Sequence, residues 1–176
     1  MNDDLGEYKN GVNPVNRATL TWDRDLLFTS TTPRGYDLAF DAAVEWGCMP
    51  VEGLLMSVAG CMAVDIVSIL TRMRSAPETF SMDIEGVRDP VPPQRYRSIR
   101  MTLNLSGAAV TTEKVDRAIK LSEEKYCSVL HSLKDDIEVV VETNIHPLEG
   151  DAPSAPLLDV RAGPDQPQEE AGEISG

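Results

Sequence analysis

The chain has 176 residues, enough for one domain with a real core, and a net charge of −13 that disfavours phosphate backbones and anionic membrane surfaces as partners. Its unbroken apolar runs are only a few residues long and residues 1–7 are acidic, so neither a bilayer span nor a signal peptide is expected, which points to the cytoplasm. Three cysteines, an odd number, argue against a secreted disulfide scaffold; in a reducing compartment a disulfide is more often transient and catalytic.

Residues 1–16 read as a loose leader. Residues 18–22 and 26–30 are rich in β-branched and aromatic side chains, with Asp23, Arg24 and Asp25 as a tight turn between two strands. Residues 36–41 alternate with period two after a turn at Thr32, Pro33, Arg34 and Gly35, completing an antiparallel meander. A long helix then starts at Pro50, whose missing N–H costs nothing at the first helical position. Val51, Leu54, Leu55, Val58, Met62, Ile66, Ile69, Leu70 and Met73 recur at helical spacing, and between Val51 and Leu70 only Glu52 and Asp65 are charged. A helix apolar nearly all round must be buried; a sheet covers one side and a second subunit is the natural cover for the other.

Residues 80–87 and 96–105 alternate as two strands joined by the proline-rich loop around Asp89–Pro93. In the second strand, Arg97, Ile99, Met101, Leu103 and Leu105 fall on one face, with Tyr96, Ser98, Arg100, Thr102 and Asn104 on the other. Thr112 opens a helix anchored by Val115, Ile119 and Leu121; a shorter helix is expected to begin near Cys127, and residues 137–143 form a last strand. From Pro147 to Gly176 there are seven acidic residues, one basic residue (Arg161), five prolines and no aromatic, which reads as a flexible acidic tail; it carries −6 of the net charge and leaves −7 on the body. The fold class is α+β, with one domain over 17–146.

The chemistry centres on Cys61 and Cys127, 66 residues apart and each placed on a helix. Folding could bring them together as a reactive thiol and a partner thiol. Cys61 is mid-helix, beyond the reach of the N-terminal dipole, and Asp65 one turn later disfavours its thiolate, so activation needs a cation from elsewhere. A buried small hydrophobe is the bland alternative for either thiol. If a helix starts near Cys127, the helix dipole would lower that thiol's pKa. Cys48 sits in the polar approach to the long helix and takes no role. Cys127 and His131, four apart, with Cys48 and Cys61, form a metal-binding alternative without a second close ligand pair. No nucleophile elbow, P-loop or dinucleotide fingerprint occurs, and no cofactor or metal is implied.

The run from Met49 through Gly60-Cys61-Met62-Ala63-Val64-Asp65-Ile66-Val67 to Leu70 resembles the central-helix motif of the OsmC/Ohr family, and Arg117 to Val129, with Lys125-Tyr126-Cys127-Ser128-Val129, resembles its second cysteine motif. The details look closer to a less characterised OsmC-like subgroup than to Ohr itself. The resemblance implies an OsmC-like fold with two antiparallel sheet segments around a long buried central helix, in an intertwined homodimer with active sites at its interface. It implies that Cys61 attacks an organic hydroperoxide and becomes a sulfenic acid, that Cys127 resolves it to a disulfide, and that an external dithiol, in relatives often a lipoylated protein, restores the pair. The family's peroxidases also carry a thiolate-stabilising Arg, positioned by a Glu ten residues before the first cysteine. Position 51 here is Val, and Glu52 lies nine before Cys61, half a revolution round a regular helix. Arg24 is the best match for the Arg, with Arg34 the alternative. A non-enzymatic alternative keeps the fold and binds a small hydrophobic ligand at the dimer interface.

Overall fold

The computed structural model describes residues 14–146; the acidic tail and residues 1–13 of the expected leader lie outside the described residues. Three strands open the chain: β1 (Thr19–Arg24), β2 (Leu27–Thr31) and β3 (Asp37–Asp41), ordered β1-β2-β3 and antiparallel throughout. The meander expected from the sequence is therefore present. Its faces are poorly covered, and Leu20, Trp22, Leu26, Tyr36 and Leu38 are exposed.

The loop after β3 is organised by one carboxylate. Asp41 accepts hydrogen bonds from the backbone N–H groups of Ala43 (2.9 Å), Glu45 (3.1 Å) and Trp46 (3.1 Å). The Ala43 N–H leads these three in holding its carboxyl below the usual range, against the opposing effect of burial. The chain then bridges back to the sheet at Cys48 and enters α1 (Pro50–Arg72) with Pro50 in the first turn, as expected.

The second sheet holds β4 (Thr79–Arg88), β5 (Tyr96–Ser106) and β6 (Glu138–His146), ordered β4-β5-β6. β4 and β5 form the long-looped antiparallel hairpin read from the sequence. β6 runs parallel to β5, so this sheet is mixed rather than antiparallel. The parallel arrangement requires a crossover, which α2 (Thr112–Leu121) and the turns after it provide.

One residue changes face against expectation. Tyr96 is buried and Arg97 exposed, the reverse of the strict alternation. The pairing goes from Val87 opposite Ser98 to Arg88 opposite Tyr96, so Arg97 is the extra residue of a β-bulge. A bulge inserts one residue and reverses the side-chain alternation beyond it. Tyr96 thereby reaches α1, where its hydroxyl donates to the Val51 carbonyl at 2.9 Å.

The core is built between α1 and this sheet. Val58, Met62, Ile66, Ile69 and Leu70 of α1 cluster with Ile99, Met101, Leu103 and Leu105 of β5 and with Val115, Ala118 and Ile119 of α2. On the other side of α1, Leu54, Met56 and Val64 are exposed. In the single chain the helix is thus covered on one face only. By length and composition α1 could cross a membrane, which corrects the exclusion argued from short apolar runs; its inner face, however, is packed in this core.

Candidate active site

Cys61 and Asp65 stand one turn apart on α1 and therefore share a face. Met62 and Ile66, each the next residue on, anchor the adjoining stripe in the core. Cys127 arrives from the other side of the crossover. After Leu121, the last residue of α2, the chain continues directly into a π turn, Ser122–Tyr126, closed by the Cys127 N–H donating to the Ser122 carbonyl at 2.8 Å. Such single π turns re-aim side chains and are frequent at functional sites. The turn is tied to α1 by the Ser122 hydroxyl, which donates to Asp65 Oδ2 at 3.0 Å in a buried contact.

The result is a three-residue cluster. The sulfurs of Cys61 and Cys127 and a carboxylate oxygen of Asp65 all lie within 4.8 Å of one another. Cys127 and Asp65 are buried, Cys61 is half-buried, and both thiols are free. A disulfide between them would bring the sulfurs to ~2.05 Å.

The electrostatics of Cys127 differ from the sequence-based expectation. No α-helix begins there. Cys127 has extended backbone at the end of the π turn, and only a short 3-10 turn, Leu130–Ser132, follows. The Leu130 N–H does donate to its sulfur at 3.4 Å, which favours the thiolate. Burial outweighs that donor and, with the neighbouring Cys61 and Asp65 pushing the same way, raises the Cys127 thiol to about 12. At neutral pH Cys127 is a protonated thiol, suited to waiting rather than to attacking first.

The remaining expected residues lie elsewhere. Arg24, at the end of β1, places its guanidinium 5.3 Å from the centre of the Trp46 ring and adds to the field on Asp41. Arg34 is exposed in the turn before β3. Glu52 is exposed in the first turn of α1, where its Oε2 accepts the Met49 N–H at 2.8 Å and so caps the helix start. Cys48 directs its thiol at the Ala39 carbonyl, 3.8 Å away. His131 is exposed in the 3-10 turn that follows Cys127. Among the described residues no fourth His, Cys, Asp or Glu joins the Cys61–Asp65–Cys127 cluster, so a closed four-ligand zinc site is not built there.

Two members of the cluster's surroundings went unassigned in the sequence reading. Asp65 carried a legible signal, a lone acid one helical turn from a cysteine in an apolar helix. Ser122 carried none, because its meeting with Asp65 across 57 residues depends on how α2 docks.

An OsmC-like protein family profile matches residues 43–142, more than half the chain and the whole span from the approach to α1 into β6. The chain belongs to the OsmC-like family. Protein YhfA of Escherichia coli K12 is 28% identical over 124 residues, covering 70% of this OsmC-like chain and 92% of YhfA. A hypothetical protein from Aquifex aeolicus VF5 superposes with a TM-score of 0.71 at 28% identity, covering 78% of this chain and 100% of its own. An organic hydroperoxide resistance protein OsmC from Legionella pneumophila shares the fold, with a TM-score of 0.57 at 12% identity, over 76% of this chain and 98% of its own.

Proposed function

We propose that this OsmC-like protein is a thiol peroxidase that reduces organic hydroperoxides. The observation that carries the reading is the convergence of Cys61 and Cys127, one half-buried and reachable, the other buried behind it, within 4.8 Å. Cys61, as thiolate, attacks the O–O bond; the O–O bond breaks, the leaving alkoxide takes a proton, and Cys61 becomes a sulfenic acid. Cys127 then displaces the sulfenic oxygen, giving a disulfide and water. An external dithiol, of the kind a lipoylated protein presents, returns both thiols to the reduced state.

Two parts of this reading lie beyond the single chain. The exposed Leu54, Met56 and Val64 on α1 and Leu20 and Trp22 on β1 suit cover by a second copy, and a homodimer is the proposed assembly. Arg24 is the proposed cation for Cys61, supplied across that interface, with Glu52 as a carboxylate able to orient it. The proposed setting is the cytoplasm.

Titrating the reduced protein with an alkyl hydroperoxide and mapping disulfides by mass spectrometry tests the proposal. One equivalent should give a Cys61–Cys127 disulfide, and Cys61→Ser should abolish peroxide consumption. Unchanged consumption in that variant would refute the mechanism. The non-catalytic alternative draws on Arg24 lying over the Trp46 ring. It predicts that wild-type Cys61 survives peroxide unmodified while a small hydrophobic ligand co-purifies.

A further inference from the structure

Resting on the peroxidase reading, we infer that Asp65 is the proton carrier of the resolving step, taking the proton of the Cys127 thiol and delivering it to the oxygen that leaves Cys61. Three observations carry this. Asp65 is buried to 2% exposure, where a carboxylate is rarely placed without a task. Its carboxylate oxygen lies within 4.8 Å of both sulfurs. The Ser122 hydroxyl holds it at 3.0 Å, so the same contact that docks the π turn also fixes the carboxylate beside the thiols.

The chemistry of disulfide formation needs such a group. When Cys127 attacks the sulfenic acid of Cys61, the S–S bond forms and the S–O bond of Cys61 breaks. Hydroxide is a poor leaving group, and the Cys127 sulfur must shed its proton as it attacks. A thiol held up to about 12 by burial does not supply thiolate in advance. Transfer from Cys127 Sγ to the Asp65 carboxylate, and from there to the departing oxygen, releases water and leaves Asp65 as it began. The oxidant is the alkyl hydroperoxide consumed in the first step; the resolving step adds no other reactant. Positioned acid–base groups of this kind contribute roughly 10²–10⁴-fold.

A purely structural role for Asp65 makes a different prediction, and Asp65→Asn separates the two. The amide oxygen can still accept from Ser122, so docking of the π turn is kept, but the amide cannot carry the proton. The proton transfer assigned to Asp65 belongs to the resolving step and not to the attack of Cys61 on the peroxide. With an alkyl hydroperoxide, the variant should therefore form sulfenic acid, trapped with dimedone, at least as fast as wild type. Its disulfide should form at least about tenfold more slowly, so that the sulfenic acid accumulates. A wild-type rate of disulfide formation, or equal slowing of both steps, would overturn the inference. If Asp65→Asn does not fold, Asp65→Ala with added formate replaces it. Restoration of disulfide formation by formate supports the role, and no restoration in folded protein overturns it.

The inference stays testable if the peroxidase reading fails. Should wild-type protein give no sulfenic acid with hydroperoxide, diamide can oxidise the same pair, because its second step is again attack by Cys127 on a modified Cys61. Slower closure in Asp65→Asn than in wild type would then support Asp65 alone, and equal closure would overturn it.

Discussion

Alkylation kinetics of Cys127 give the sharpest check on the electrostatics of the site. The perturbation is unfolding in guanidinium, which removes burial and the neighbouring Cys61 and Asp65. In the folded chain the thiol stands at about 12 against an ordinary 9.0. Three units lower the thiolate fraction at pH 8 by about 10³. The more basic thiolate is intrinsically more nucleophilic, and a Brønsted slope of about 0.4–0.5 returns about 16- to 32-fold. The net expectation is that native Cys127 reacts about 30- to 60-fold more slowly with iodoacetamide than the same residue unfolded, from charge alone. Complete burial of Cys127 slows it further. The assay is timed alkylation at pH 8, quenched and mapped by peptide mass spectrometry, with Cys61 followed in the same samples. Native labelling of Cys127 within threefold of the unfolded rate would refute the reasoning, as would labelling of Cys127 ahead of the more accessible Cys61.

The same shift makes stability depend on alkaline pH. Because the folded chain holds the Cys127 proton more tightly than the unfolded chain, the contribution is whole below pH 9.0 and is lost as pH rises towards about 12. The urea midpoint of wild type should fall more steeply over that window than that of Cys127→Ala, and parallel slopes would count against it. At the contact between β4 and α1, Gly86 leaves no room for a side chain: a Cβ there would meet the Tyr96 ring and approach Leu55 Cδ1 to 3.0 Å. Gly86→Ala should destabilise by about 1–3 kcal/mol in urea titration, and a change below about 0.5 kcal/mol would show that the ring yields freely.

Much of the architecture could be read from local patterns because those patterns act locally. Helical spacing and Pro50 locate α1, and period-two alternation locates β3, β4 and β5, because a local repeat reports how the side chains of one element are distributed between its faces. Tyr96 escaped this logic: a bulge is a property of two paired strands, and the alternation of β5 alone cannot reveal the extra residue at Arg97. The parallel direction of β6 is likewise decided by where the α2 crossover leaves the chain, which the strand's own residues do not record.

The site divides in the same manner. Cys61, Cys127 and the i,i+4 relation of Cys61 to Asp65 are written in the sequence, and the motifs around the two thiols carried the family assignment. Their electrostatic characters are not. Cys127 reads locally like a residue at a helix start, yet the π turn makes it the end of one element and buries it, and burial outweighs the donor at Leu130. Ser122 meets Asp65 only when α2 lies across α1. The sequence by itself determined which thiols and which acid are available. Tertiary packing decided that the three converge, because desolvation and through-space charge depend on neighbours that are 57 to 66 residues away along the chain.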